Sequence, residues 1–314
     1  MIKRSNAVWT VVGTTAVLLS GYLLYREVRN ISLAELMDSF RAISLIHWAL
    51  AGCASLGAYA ALAWYDRIAM AHLGKKISWW FITLCSFTTY ALAHNIGASV
   101  FSGALVRYRA YRSKGLSTQE IGILIVFCAL TFALGTLLAS GIVLLLEPSL
   151  PGRLMDMAPW LARLLGLLML GLVLLYIWGS LRHKKPLQLG PLTIEYPRLA
   201  IVGRQLLAGP LELLCAAAII YFALPEQNNP GYVIILGVFL ASFSLALLSH
   251  APGGLGVLEV TFLAALPELP TVDVLAALIV FRALYLLLPF AMAIIVVTTF
   301  EVRQWLERSR NPAS

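Results

Sequence analysis

Charge is what this sequence has least of. Charged side chains make up only 12% of its 314 residues, about half the roughly 25% of an ordinary globular domain. With 60% hydrophobic residues, a water-soluble surface is excluded and the excess apolar area must face lipid. Cysteine is also scarce. Cys53, Cys85, Cys128 and Cys215 lie inside apolar segments without CxxC spacing, which argues for buried small hydrophobes and against disulfide or zinc use. No nucleophile–base arrangement, metal cluster or phosphate-binding glycine loop is present, so a membrane enzyme is the weakest functional class and no cofactor is expected. A soluble module able to grip a duplex is missing too. The net charge of +8 sits in short runs between apolar segments, such as Arg182-His183-Lys184-Lys185. Membrane loops use Lys and Arg in this way, and no nucleic-acid partner is expected.

Long apolar runs are what the sequence has in abundance. They cover roughly 7–25, 46–64, 78–106, 120–146, 160–181, 202–224, 232–266 and 271–300, and several exceed the roughly 20 residues that cross a hydrocarbon core of about 30 Å. The first follows Met1-Ile2-Lys3-Arg4 like a signal peptide. It meets Arg26-Glu27-Val28-Arg29 without a small-x-small cleavage site, and so reads as a retained span. The third and seventh are too long for one span and are interrupted near their middles, by Asn95 and Gly97 in one and by Pro252-Gly253-Gly254 in the other. If all eight crossed, Arg107, Arg109, Arg112 and Lys114 would lie opposite Arg67, Lys75 and Lys76, against the positive-inside bias. If the third and seventh dip in and return, sixteen Lys and Arg share the side of both termini. Five (Arg26, Arg29, Arg41, Arg153, Arg163) face the other side, and Arg204 and Arg282 stay in or near the membrane. The expected fold is an all-α polytopic membrane protein with about six spanning helices plus two re-entrant helical hairpins, both termini cytoplasmic.

Each half then holds three spans and one hairpin in opposite orientation, the inverted-repeat plan of many transporters. Residues 84–97 align with 240–253 at an offset of 156, matching Leu84, Ser86, Phe87, Leu92, His94 and Gly97 to Leu240, Ser242, Phe243, Leu248, His250 and Gly253. LIVFCALTFAL (124–134) repeats as LIVFRALYLLL (278–288) at 154, and Leu50-Ala51-Gly52 as Leu207-Ala208-Gly209 at 157. Such similar offsets predict an internal duplication: one transmembrane domain, 1–314, of two inverted halves, about 1–150 and 157–314.

A helix breaks in hydrocarbon only where protein or water takes up the freed backbone groups. The tips, His94 to Gly103 and His250 to Glu259, therefore line a wet cavity or are glycine-rich for close packing. Helix ends there would offer N–H groups to an anion. His94 and His250 are equivalent in the two halves, but lack carboxylate companions and point to backbone hydrogen bonding more than to a metal. Charges at membrane depth are functional candidates. Arg282 lies about eleven residues into the last span, with Glu259 as counter-charge, a pair that folding alone could also require. Glu212 with Arg204 is a second candidate pair, Arg204 being nearer the surface. Arg107-Tyr108-Arg109-Ala110-Tyr111-Arg112 reads as a basic flank with aromatic anchors or, more sharply, as a phosphate-headgroup site, because Arg bonds phosphate bidentately. Ser117 with Glu120 matches a capping box.

HNIGASVFSGALVRYRAYRSKGLSTQEI, APGGLGVLE and LIVFRALYLLLP resemble the signatures of the lysylphosphatidylglycerol synthase transmembrane-region family. That family includes the flippase half of the bacterial multiple peptide resistance factor and stand-alone inner-membrane proteins of the YbhN type. The resemblance covers roughly residues 7–300. It implies a multi-pass protein of the bacterial inner (plasma) membrane that moves phospholipid between leaflets. The motif positions it carries over are Asn95, Gly97, Gly103, Arg107, Pro252, Gly253, Gly254, Gly256, Glu259 and Arg282; Arg109 of the basic run joins them as a lipid-binding candidate. Bifunctional members continue into a cytosolic aminoacyl-transferase domain, whereas this sequence stops at Ser314, so it is expected not to make lysyl-lipid and not to be an enzyme. Arg107 and Arg282 would attract the lipid phosphate, with Glu259 balancing Arg282 when the site is empty. Two alternatives stand beside this reading. One is a non-transporting scaffold for a lipid-modifying enzyme. The other is a proton- or ion-coupled carrier of a small solute, against which the shortage of membrane carboxylates beyond Glu212 and Glu259 argues. Phospholipid is the expected ligand, with a second copy of the chain or a lipid-synthesis enzyme as candidate protein partners.

Overall fold

The structure, a computed structural model, describes residues 32–96, 99–182, 187–189, 192–194, 197–249 and 254–310. The expected first span at 7–25 lies outside them, as do Gly97, His250, Pro252 and Gly253.

The described chain is helical almost throughout. A short α1 (Leu33–Ala42) precedes α2 (Leu45–His72), followed by α3 (Trp79–Ile96), α4 (Ser99–Arg112), α5 (Thr118–Leu146) and α6 (Pro159–Leu181). A small antiparallel pair, β1 (Leu187–Leu189) and β2 (Leu192–Ile194), sets Leu187 opposite Ile194. After it come α7 (Leu199–Ala223), α8 (Tyr232–Ser249), α9 (Val257–Ala265), α10 (Thr271–Phe281), a π-helical segment (Arg282–Leu287) and α11 (Leu288–Arg310). Helix ends follow local chemistry. The expected capping box opens α5: Ser117 Oγ accepts from the Glu120 N–H at 3.2 Å, and Glu120 Oε2 accepts from the Ser117 N–H at 2.8 Å. Past the end of α2, Gly74 turns the chain with φ of 67°, a left-handed stop that L side chains resist.

Two points of the expected topology change. The helix read as ending near residue 64 runs on to His72, so Asp66 and Arg67 belong to a helix and not to a loop. Six helices are long and apolar enough to cross a membrane: Leu45–His72, Thr118–Leu146, Pro159–Leu181, Leu199–Ala223, Tyr232–Ser249 and Thr271–Thr299. Five match expected spans. The sixth, α8, is the first arm of the second hairpin, whose 18 residues cover about 27 Å at 1.5 Å per residue. The break comes late, so this arm alone nearly matches a bilayer core.

Both broken segments form helix–break–helix hairpins whose arms pack on each other. In the first, a Cβ at Gly103 would lie 3.1 Å from Thr89 and 3.5 Å from Ala93 across the hairpin. Ion pairs and hydrogen bonds show which ends of the helices lie together. Lys75, just past α2, meets Glu120 at the start of α5 at 2.7 Å, so the first hairpin leaves and returns at one end of the bundle. At the other end Ser39 donates to Asp273 at 2.7 Å and Arg153 pairs with Glu268 at 2.6 Å.

The centre is the α2–α7 pair, against which α5 packs. Lipid offers helices no hydrophobic drive to associate, so close contact depends on small residues. Here α5 and α7 touch backbone to backbone: a Cβ at Gly209 would stand 2.7 Å from the Thr131 carbonyl oxygen and 2.8 Å from Gly135 Cα. Hairpin arm α3 lies on α11, and α8 lies on α5.

Candidate functional site

Three buried polar centres lie among the described helices, and each is held by a different solution to the cost of removing charge from water.

The first is built on Asp66, which is wholly buried. Arg107 of α4 donates Nη2 to Asp66 Oδ1 at 2.6 Å and Nε to Oδ2 at 3.3 Å. Tyr111, one turn on, donates to Oδ2 at 2.9 Å, and the Cys128 thiol lies 3.4 Å from Oδ1. The Arg107 guanidinium also stands over the Tyr90 ring, 4.8 Å from its centroid, a cation–π contact. Arg107 is 6% exposed. The expectation that it lies in a surface loop is corrected, because α4 carries it inward to an acid that the sequence reading had placed in a loop. Asp66 also overturns the expected shortage of membrane carboxylates beyond Glu212 and Glu259.

The second centre confirms the expected Glu259–Arg282 pair. Arg282 donates Nε and Nη2 to Glu259 Oε1 at 2.8 and 2.6 Å. The other carboxylate oxygen accepts the Gly256 N–H at 2.8 Å, where φ of 79° suits glycine. This pair keeps some exposure, 14% for the Arg282 side chain and 8% for Glu259. Gly254 packs beneath it against Ala246 and Leu258.

The third centre is Glu212, 2% exposed, whose Oε1 accepts the Tyr285 hydroxyl at 2.5 Å. The expected pair with Arg204 does not form. Arg204 is exposed and lies eight residues, about 12 Å of helix, away on the same helix. Tyr285 belongs to the π-helical segment that begins at Arg282. Carbonyls of that segment accept from Ser55 (2.8 Å, Leu284), Tyr59 (3.0 Å, Tyr285) and Asn95 (3.1 Å, Leu286). Irregular backbone at membrane depth needs such partners, and π-helical turns concentrate at functional sites. His94 stacks on Tyr285 with centroids 5.3 Å apart. Its Nδ1 is buried without a hydrogen-bond partner, so the expected backbone bond is not seen at that atom.

Of the residues singled out from sequence, Asn95 thus reaches the π-segment, Gly103 sets the hairpin contact, and Gly254, Gly256, Glu259 and Arg282 come together. Arg107 is tied to Asp66, apart from that group. Arg109 lines a cavity of about 460 Å³ between the first hairpin and α11, otherwise walled by residues such as Phe81, Leu84, Leu105, Ile295 and Val296. Gly97, Pro252 and Gly253 lie outside the described residues. Among those described, no cluster of His, Cys, Asp and Glu could hold a metal ion. The residues sequence reasoning missed are Asp66, Tyr90, Tyr111 and Tyr285. For Asp66 a signal existed: Gly74 marks where α2 stops.

A polytopic helical membrane protein with buried charge pairs, each joining one residue of a broken hairpin to another helix, is the class these features define. The chain belongs to the family described as the lysylphosphatidylglycerol synthase TM region, which matches residues 11–293. It is 28% identical over 303 residues to the uncharacterised protein slr0712 of Synechocystis, covering 96% of this chain and 94% of that one. It is 29% identical over 262 residues to the inner membrane protein YbhN of Escherichia coli, 80% and 79% covered. It is also similar, at 25% over 304 residues, to a phosphatidylglycerol lysyltransferase of Staphylococcus haemolyticus, covering 91% of this chain but 34% of that protein.

Proposed function

We propose that this chain moves phospholipid between the leaflets of a bacterial inner membrane, without catalysing a covalent reaction. The two halves act as inverted repeats, and the broken hairpins enter the bilayer from opposite faces with both termini cytoplasmic. The observation that carries the reading is the Arg282–Glu259 pair. It is a charge pair beside a glycine-rich break, with two Arg282 donors converging on one Glu259 oxygen at 2.6 and 2.8 Å, yet not sealed from its surroundings. A phosphate that displaced Glu259 would find the same two donors on Arg282, the geometry in which Arg binds phosphate. The apolar cavity beside Arg109 has the chemistry to hold an acyl chain with its headgroup near a cation. Membership of a family named for a lipid synthase and a relative named as an inner membrane protein support both substrate class and location.

The test is Arg282→Gln in vesicles carrying a headgroup-labelled phospholipid. Translocation is expected to slow roughly tenfold, the effect of losing about 1.4 kcal/mol of headgroup stabilisation. A second reading, a non-transporting partner for a lipid-modifying enzyme, draws on the lysyltransferase relatives, of which this chain matches about a third. It predicts that Arg282→Gln and wild type give the same rate as protein-free vesicles.

A further inference from the structure

Glu212 differs from the other two buried carboxylates in its company. Asp66 has Arg107 and Glu259 has Arg282, but among the described residues no Lys or Arg pairs with Glu212. One oxygen accepts from Tyr285, and the other, Oε2, is buried without a hydrogen-bond partner. The groups facing it can be named element by element. Tyr59 and Tyr65 come from α2, Cys215 from one turn along α7, and Tyr285 from the π-segment. Beyond Tyr285 lies His94 of α3. From α8, Phe243 stands edge-on to His94 and Phe239 to Phe281, and the Cys128 thiol of α5 turns to Asp66. None is a cation paired with Glu212. A carboxylate out of water and without a counter-charge is neutralised most simply by a proton, and a proton on Oε2 needs no other partner.

The position of this acid links it to the lipid pair. Tyr285, which donates to Glu212, lies three residues after Arg282, which donates to Glu259. Both belong to one π-helical segment, held by side chains of α2 and α3 and not by neighbouring backbone alone. A shift of that segment moves both donors together.

We propose that Glu212 is a proton-binding site whose loading and unloading shifts the π-helical segment, coupling the Arg282–Glu259 pair to the transmembrane proton gradient. The proton comes from water on one side, forms an O–H bond at Glu212 Oε2, and returns to water on the other side. Nothing is oxidised or reduced. An acid that drives change elsewhere must bias an element with two arrangements, and the π-segment is that element. The proposal rests on the translocation reading and adds its energy source.

Two measurements on the full-length protein separate the proposals. Infrared difference spectra of the purified protein, titrated in pH, should contain the carbonyl stretch of a protonated carboxylic acid that disappears in Glu212→Gln. If the variant keeps the whole band, the site assignment fails, whatever the protein transports. In vesicles with a headgroup-labelled phospholipid, an imposed pH gradient should raise the wild-type rate several-fold. Glu212→Gln should lose that response and Glu212→Asp should restore part of it. Lipid movement that ignores the pH gradient, or follows a sodium gradient instead, overturns the coupling while leaving translocation standing. No lipid movement by the wild-type protein overturns the translocation reading, and the coupling with it.

Discussion

Asp66 is neutralised from several directions, by a guanidinium, a phenol and a thiol, and this explains how a helix can carry an acid into the apolar interior. Breaking a buried pair by removing one partner leaves a charge without compensation, at a cost of about 3–5 kcal/mol. Arg107→Ala should therefore lower the thermal unfolding temperature in detergent sharply. Asp66→Asn combined with Arg107→Gln should cost less than the two single changes summed, because the interaction is shared. Equal and additive losses would contradict the pairing. The contrast with Arg282 shows what sequence can reveal at this scale. Arg282 and Glu259 stand isolated among apolar neighbours and are visible at once as charges needing each other. Asp66 is followed directly by Arg67, with Lys75 and Lys76 beyond, and reads as the start of a basic loop. Gly74 shows that the helix runs on past it, but its partner lies 41 residues away, on the far arm of a hairpin.

At the scale of elements, backbone contact between α5 and α7 sets the tightest geometric demand. Gly209→Ala would press a methyl group into the backbone of Thr131 and Gly135, and overpacking of this kind costs about 1–3 kcal/mol. Gly52, its counterpart in the repeated Leu-Ala-Gly, has nothing within 4 Å of a built Cβ, so Gly52→Ala should leave the unfolding temperature unchanged. The two hairpins were legible because glycine, proline and asparagine interrupt otherwise apolar runs. The π-segment was harder to see, because Arg-Ala-Leu-Tyr-Leu-Leu holds no helix breaker itself; its signal is Pro289 just beyond, whose missing N–H leaves a carbonyl behind it to other partners. The Arg153–Glu268 latch joins the turn after α5 to the link before α10. Burial is the largest single influence and raises the Glu268 carboxyl, but the hydrogen bond from Arg153, a backbone hydrogen bond and the Arg153 charge together outweigh it, and the net shift is downward. The group therefore stabilises the fold at neutral pH and loses that contribution as pH falls through its lowered range. A latch this accessible is worth at most about 1 kcal/mol. The stability difference between wild type and Arg153→Ala should be small at neutral pH and shrink on acidification, leaving the part that comes from the Arg153 bond to the Ala265 carbonyl.

For the whole molecule, the two ends of the bundle carry the argument. Lys75 and Glu120, which flank the first hairpin, meet at one end of the bundle, and Glu268, just past the second, meets Arg153 at the other. With the inverted halves proposed above, that is an arrangement suited to alternate access from two faces. The sequence already points to an asymmetry between the halves, because Glu259 and Arg282 stand only in the second half and Cys128 occupies the position matching Arg282. The first buries its charge pair almost completely, whereas the second leaves its pair partly accessible beside a break. The proposed lipid chemistry is for that reason sought in the second half. The direct test is reconstitution: purified protein in vesicles containing a headgroup-labelled phospholipid, with loss of leaflet protection followed over time. Faster loss than in protein-free vesicles is the predicted result, and rates indistinguishable from protein-free vesicles across anionic and zwitterionic lipids would contradict it.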